Sequence, residues 1–157
     1  MSTVFSCLVL VVCSVLAGGS HPARPNILFI LADDLGWANV GYHNSQNQEI
    51  HTPNIDQLVA NGLELDRHYV YSGCAPSRAA LQSGRLPVHV TIQNDDGLTD
   101  PKHGIPTKMT GIASKMKQAG YATHLVGKWD CGFATFDRLP LQKGYDSYFG
   151  YLSKSVT

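Results

Sequence analysis

Cys74-Ala75-Pro76-Ser77-Arg78-Ala79-Ala80-Leu81-Gln82-Ser83-Gly84-Arg85 is the stretch on which the reading of this chain turns. Pro76 suits the first turn of a helix, Ala79 to Gln82 are good helix formers, and Gly84 supplies a stop. Residue 74 is thereby set at or just before a helix amino end. Free N–H groups and the positive end of the helix dipole favour an anion there. Arg78, one turn on, adds a permanent cation. A helix start that bears Arg and no carboxylate suits a centre where negative charge develops on oxygen.

Working outward, each further polar motif follows an apolar run. Ile27, Leu28, Phe29, Ile30 and Leu31 are continuous and β-favouring, as in a strand covered on both faces, and the run stops at Asp33-Asp34. Thr52-Pro53 reads as an N-cap with Pro at the first helical position. Ile55, Leu58 and Val59 then share a face, and Gly62 ends the helix. Leu63, Leu65, Tyr69 and Tyr71 fall on one side of a second strand that leads to Cys74. Residues 86–107, with Pro87, Pro101, Pro106 and an acidic turn at 94–97, read as a long surface connection. Met109, Ile112, Ala113 and Met116 recur at helical spacing, with Gly120 as the close. Residues 121–126 give a third strand that delivers Gly127-Lys128-Trp129.

Strands alternating with helices predict an α/β domain built on a mainly parallel sheet flanked by helices. Sites in such sheets form at the carboxyl ends of strands. Asp33-Asp34, the run from Cys74 to Arg78, and Lys128 each follow a predicted strand, so three groups distant in sequence are expected on one edge.

The order Cys, any residue, Pro, Ser, Arg, two residues, Leu, one residue, Ser or Thr, Gly, Arg is complete from Cys74 to Arg85. It resembles the maturation and active-site motif of the type I sulfatases, in their arylsulfatase B-like branch. Residues 120–129 are similar to the second motif of that family. The resemblance covers nearly all of residues 24–151 and implies an alkaline-phosphatase-like sulfatase fold that hydrolyses sulfuric esters, of aryl alcohols or sugars. It further implies that a formylglycine-generating enzyme oxidises Cys74 to formylglycine within the motif Cys74, Pro76, Ser77 and Arg78. The hydrate of that aldehyde would attack sulfur. By the same resemblance Asp33, Asp34 and the oxygen at position 74 face calcium, Arg78 positions the hydrate, and Lys128 neutralises charge toward the leaving oxygen. The family completes its calcium set and its substrate contacts with residues beyond position 157. The expectation is therefore the amino-terminal part of a sulfatase catalytic domain, residues 24–157, incomplete at its carboxyl end.

Position 130 departs from the family pattern: many sulfatases have His two residues after the Lys, and this chain has Asp130. A His donates protons near neutral pH, whereas an Asp does so only when strongly perturbed. Orienting a neighbour, acting as a base and coordinating metal all stay open for Asp130.

Taken without the resemblance, the same residues have plainer readings. Cys74 and Cys131 could pair as a disulfide, Asp33-Asp34 could be a solvated turn, and an isolated Lys128 would ordinarily be exposed. A non-catalytic secreted fragment that binds partners through an open sheet edge is the alternative function. A metal-dependent phosphoesterase would ordinarily carry Ser or Thr where Cys74 stands. The seven histidines show no paired helical spacing, and Trp129 and the tyrosines read as packing groups.

Composition narrows the partners. Twelve Lys and Arg balance twelve Asp and Glu, with no basic block or zinc-finger spacing, so nothing points to a polyphosphate partner and no nucleic-acid role is expected, while a small anionic substrate stays compatible. Residues 1–20 read as a secretory signal peptide, apolar from Val4 to Leu16 and followed by Ala17, Gly18, Gly19 and Ser20. That stretch is shorter than the about 20 apolar residues of a membrane span, so no stable span is expected. A protein of the secretory pathway, secreted or lysosomal, is the expected setting.

Overall fold

The computed structural model describes residues 24–44, 46, 49–90 and 100–153. The expected signal peptide at 1–20 and the acidic turn at 94–97 lie outside these residues. The chain divides into two units, residues 1–32 and residues 33–157.

In the first unit, residues 24–32 run without helix or strand. The expected strand at 27–31 is therefore not formed. Leu28 is 85% and Ile30 74% exposed, so apolar character is present but no ladder takes up its N–H and C=O groups among the described residues.

The second unit is organised around the helix that the opening motif predicts. Helix α1, Pro53–Asn61, precedes it, and α2 spans Cys74–Ser83. Gly73 is the N-cap of α2. Gly84 closes it with a left-handed backbone, φ 65°, and donates its N–H to the Ala80 carbonyl. Ala75, Pro76, Ala79, Gln82 and Ser83 are buried, a one-sided stripe at helical spacing. The small side chains of Ala75 and Ala79 let α2 approach Val90, Ile105, Trp129 and Cys131, which complete the core. The connection at 86–107 is thus not wholly on the surface, because Val90 and Ile105 are among its most deeply buried residues.

Helix α3, Ile112–Gln118, starts after Met109 and ends before Gly120, so it is shorter than the periodicity predicts. Strand β1, His124–Val126, pairs in parallel with β2, Ser147–Phe149, in the register His124↔Ser147, Leu125↔Tyr148 and Val126↔Phe149. The pairing continues past β1 as single bonds: Gly127 N–H to the Phe149 carbonyl, Trp129 N–H to Tyr151, and Asp130 N–H to Leu152. Lys128 is carried on this extension. Gly150 is required there, since a Cβ at that position would collide with the Gly127 carbonyl oxygen.

These two strands are the sheet among the described residues, so the expected α/β class is represented by helices and one short parallel pair. The second expected strand, 63–71, does not form, and Leu63, Leu65 and Tyr69 stand exposed. The apolar face of α1 is also uncovered at Leu58. Thr52 does not cap α1 with its side chain. Its hydroxyl accepts from Gly41 N–H at 2.7 Å and donates to Asp56 at 2.7 Å, tying the turn Gly41–His43 to the helix start. No helix among the described residues is long and apolar enough to cross a membrane.

Candidate active site

Cys74 is the first residue of α2, and its Sγ lies 3.0 Å from Asp33 Oδ1 and 3.7 Å from Asp34 Oδ1. One ligand atom from each of these three residues lies within 4.8 Å of the others. Two hard carboxylates beside the amino end of a helix form a cradle of the chemistry that calcium takes. The donor set fits in type, and it supplies fewer than the roughly six to eight oxygens that calcium collects.

Two cations close the other side of Asp33. Lys128 Nζ is 2.9 Å and Arg78 Nη2 3.4 Å from Asp33 Oδ2. Arg78 also donates to the Lys128 carbonyl at 3.0 Å, which locks α2 to the extension of β1. Its Nε is buried and makes no hydrogen bond, so one donor of this guanidinium is still to be satisfied. Asp130 Oδ2 also lies 3.6 Å from Lys128 Nζ.

The electrostatics follow from these contacts. The hydrogen bond from the Cys74 thiol, then that from Lys128, hold the Asp33 carboxyl below its ordinary range. The same Asp33 bond, helped by burial, pushes the Cys74 thiol up, so the sulfur is kept protonated. For Lys128, burial works against the ammonium. The bonds to Asp33 and Cys74 and the charge of Asp130 outweigh it and hold Lys128 above its usual value. Burial also pushes the Cys131 thiol far up.

Every residue singled out from the sequence is accounted for. Asp33, Asp34, Cys74, Arg78, Lys128 and Asp130 come together from three segments. Pro76, in the first turn of α2, is fully buried, and Ser77 Oγ donates to the Tyr71 carbonyl at 2.7 Å, which fixes the approach to the helix. Cys74 and Cys131 are free cysteines and form no disulfide. Lys128 is buried, not solvated.

Two features had no clear signal. Asp34 and Asp130 adopt left-handed backbone, φ 56° and 50°, and they are the non-glycine residues with positive φ among those described. Such conformations cost energy and gather at functional sites. Asp tolerates this region better than most residues, which is the one hint the sequence holds. Lys143, buried, donates to the carbonyls of Pro106, Thr107 and Met109, and Arg138 to those of Pro101 and Ile105. Both hold the loop whose Ile105 N–H binds the carbonyl of Cys131, the residue after Asp130.

Comparison with known proteins shows the family. The family model described as Sulfatase matches residues 25–156. Arylsulfatase J of Mus musculus is 39% identical over 136 residues, covering 87% of this chain and 22% of its own length. N-acetylgalactosamine-6-sulfatase of Canis lupus familiaris is 36% identical, covering 86% and 27%. Among solved structures, Ps i-CgsB superposes with a TM-score of 0.71 at 38% identity, over 79% of this chain and 27% of that one. PsFucS1 sulfatase from Pseudoalteromonas sp. gives 0.65 at 37%, over 81% and 25%. The chain spans about a quarter of the length of the relatives it matches. With motif, family model and relatives in agreement, this chain belongs to the sulfatase family.

Proposed function

We propose that residues 24–157 form the amino-terminal part of the catalytic domain of a calcium-assisted sulfuric ester hydrolase, with a modified residue 74 as nucleophile. The observation that carries this reading is the meeting of the Cys74 sulfur with two carboxylates, while Lys128 and Arg78 share one of those carboxylates. The thiol marks where the formylglycine oxygen would stand. Oxidised to the aldehyde and hydrated, position 74 would supply one hydroxyl to attack sulfur while the ester S–O bond breaks and the alcohol leaves with a proton; the second hydroxyl then loses its proton, the C–O bond to sulfate breaks, and the aldehyde re-forms as sulfate departs. Asp33 and Asp34 would hold calcium, which when bound supplies Lewis-acid polarisation of the sulfate oxygens.

This chain's own cations do the rest. Arg78, anchored on the Lys128 carbonyl and 3.4 Å from Asp33, sets a permanent cation one turn from position 74, where it would orient the nucleophile. Lys128 offsets charge that develops toward the leaving oxygen, and its burial makes that charge effective. The dipole of α2 adds positive potential at the same point.

Sulfate esters of aryl alcohols or sugars are the substrate class. A solved relative, Ps i-CgsB, is described in complex with k-i-k-neocarrahexaose, a precedent for a sugar ligand. The maturation partner is a formylglycine-generating enzyme, and the setting is the secretory pathway, secreted or lysosomal, reached through the signal peptide at 1–20.

The test is to co-express the chain with a formylglycine-generating enzyme, then combine mass spectrometry of the peptide holding residue 74 with turnover of an aryl sulfate in calcium. The expected result is the aldehyde mass and a loss of at least about a thousandfold in turnover for Cys74→Ser. An unmodified thiol from a competent host, or turnover indifferent to Cys74→Ser, removes the nucleophile.

A further inference from the structure

We infer that Asp130 is a positioning residue that holds the Lys128 ammonium off Asp33, leaving Asp33 able to serve a divalent cation. The inference rests on the calcium reading above and extends it to a residue at which this chain departs from the pattern of its family.

Asp33 is oversubscribed. Its Oδ1 accepts from the Cys74 thiol, and its Oδ2 faces both Lys128 and Arg78. A cation drawing on Asp33 and Asp34 competes with those two positive groups for one carboxylate. Arg78 has a second anchor, the Lys128 carbonyl. The Lys128 side chain is only 5% exposed, so the ammonium cannot turn to water when Asp33 is taken. It needs a second counter-charge, because an uncompensated buried ammonium is strongly unfavourable.

Asp130 is built to be that counter-charge. Its side chain is 3% exposed and its Oδ2 lies 3.6 Å from Lys128 Nζ, a second carboxylate within ion-pair reach of the same ammonium. Its left-handed backbone is maintained from both flanks. Trp129 donates from its backbone to Tyr151 and from its indole to Gly132, Asp130 N–H binds Leu152, and the buried Cys131 accepts from Ile105. Three carboxylates against two cations also leave one excess negative charge, which favours a divalent ion over a bare sulfate anion.

The experiment uses the full chain and calcium chloride in isothermal titration calorimetry, a readout independent of turnover. Asp130→Asn removes the charge and keeps a residue at home in left-handed backbone, so the fold is retained, as thermal unfolding checks. It is expected to weaken calcium binding about tenfold, since Lys128 then leans on Asp33 alone. Lys128→Met in the Asp130→Asn background removes the competitor and is expected to restore affinity to within about threefold of the parent. An unchanged affinity in Asp130→Asn, or a loss that Lys128→Met does not rescue, overturns the inference; the latter marks Asp130 as a ligand or as a purely structural group. Binding abolished by Asp33→Asn but indifferent to Asp130→Asn defeats this inference alone. A parent chain that gives no calcium heat defeats the calcium reading together with it.

Discussion

Replacing Lys143 by Met tests whether the loop at 106–109 is held by a buried cation. Lys143 Nζ donates to Pro106 and Met109 at 3.0 and 3.1 Å and more weakly to Thr107 at 3.4 Å. Methionine fills similar volume and donates nothing, so two well-bonded carbonyls lose their partner at about 1–3 kcal/mol each. Against this stands the desolvation of the ammonium, which the substitution removes and which, as the largest influence on Lys143, lowers its pKa. We expect a net loss of about 3 kcal/mol, or a fall in Tm of roughly 6–12 °C for a chain of this size. The sign with pH is distinct. A Lys whose folded pKa is depressed binds fewer protons folded than unfolded, so the parent gains stability as pH rises toward the ordinary Lys value, and Lys143→Met lacks that rise. Urea unfolding between pH 7 and 10 reads both effects. A variant equal to or more stable than the parent at pH 7 would falsify the clamp, as happens where a buried charge is only tolerated.

Three more outcomes are expected. Gly150→Ala, by driving a Cβ into the Gly127 carbonyl, is expected to cost about 2 kcal/mol or more and to weaken the near-UV circular dichroism of Trp129. The Lys117 bond and then the Thr123 N–H lower Asp146 to about 2, so its contribution is present above the unfolded carboxyl value and is lost as pH falls toward 2; Asp146→Asn should flatten that acid limb of Tm. Because the Asp33 hydrogen bond raises the Cys74 thiol, Asp33→Asn is expected to speed alkylation of unmodified Cys74 by iodoacetamide at pH 8, while Cys131 stays inert, as peptide mass mapping would show.

What the sequence made legible follows from how local each signal is. Helix α2 and its Gly84 stop are encoded within a dozen residues, and so are the bounds of α1, fixed by Pro53 and Gly62. The meeting of Asp33, Cys74 and Lys128 was expected at the carboxyl ends of three strands; the residues do meet, but of those strands only the one before Lys128 forms among the described residues. The strands were less legible. The runs at 27–31 and 63–71 carry apolar and β-branched character, but a strand exists only where a neighbour accepts its hydrogen bonds, and that pairing is not local information. β2 pairs with β1 across more than twenty residues, and no turn signal announces it. The clamps of Lys143 and Arg138 act on backbone carbonyls, which have no letter in a sequence. Val90 and Ile105 sat in a Pro-rich stretch that masked their burial.

The left-handed backbone at positions 34 and 130 carries a consequence for mutational scanning. Side chains branched at Cβ clash in that conformation whatever their polarity, while Asn and Gly enter it at little cost. A library randomised at both codons and sorted only for folded protein would therefore enrich Asp, Asn and Gly over Val, Ile and Thr. Recovery of aspartate alone would then have to come from a second, chemical round of selection.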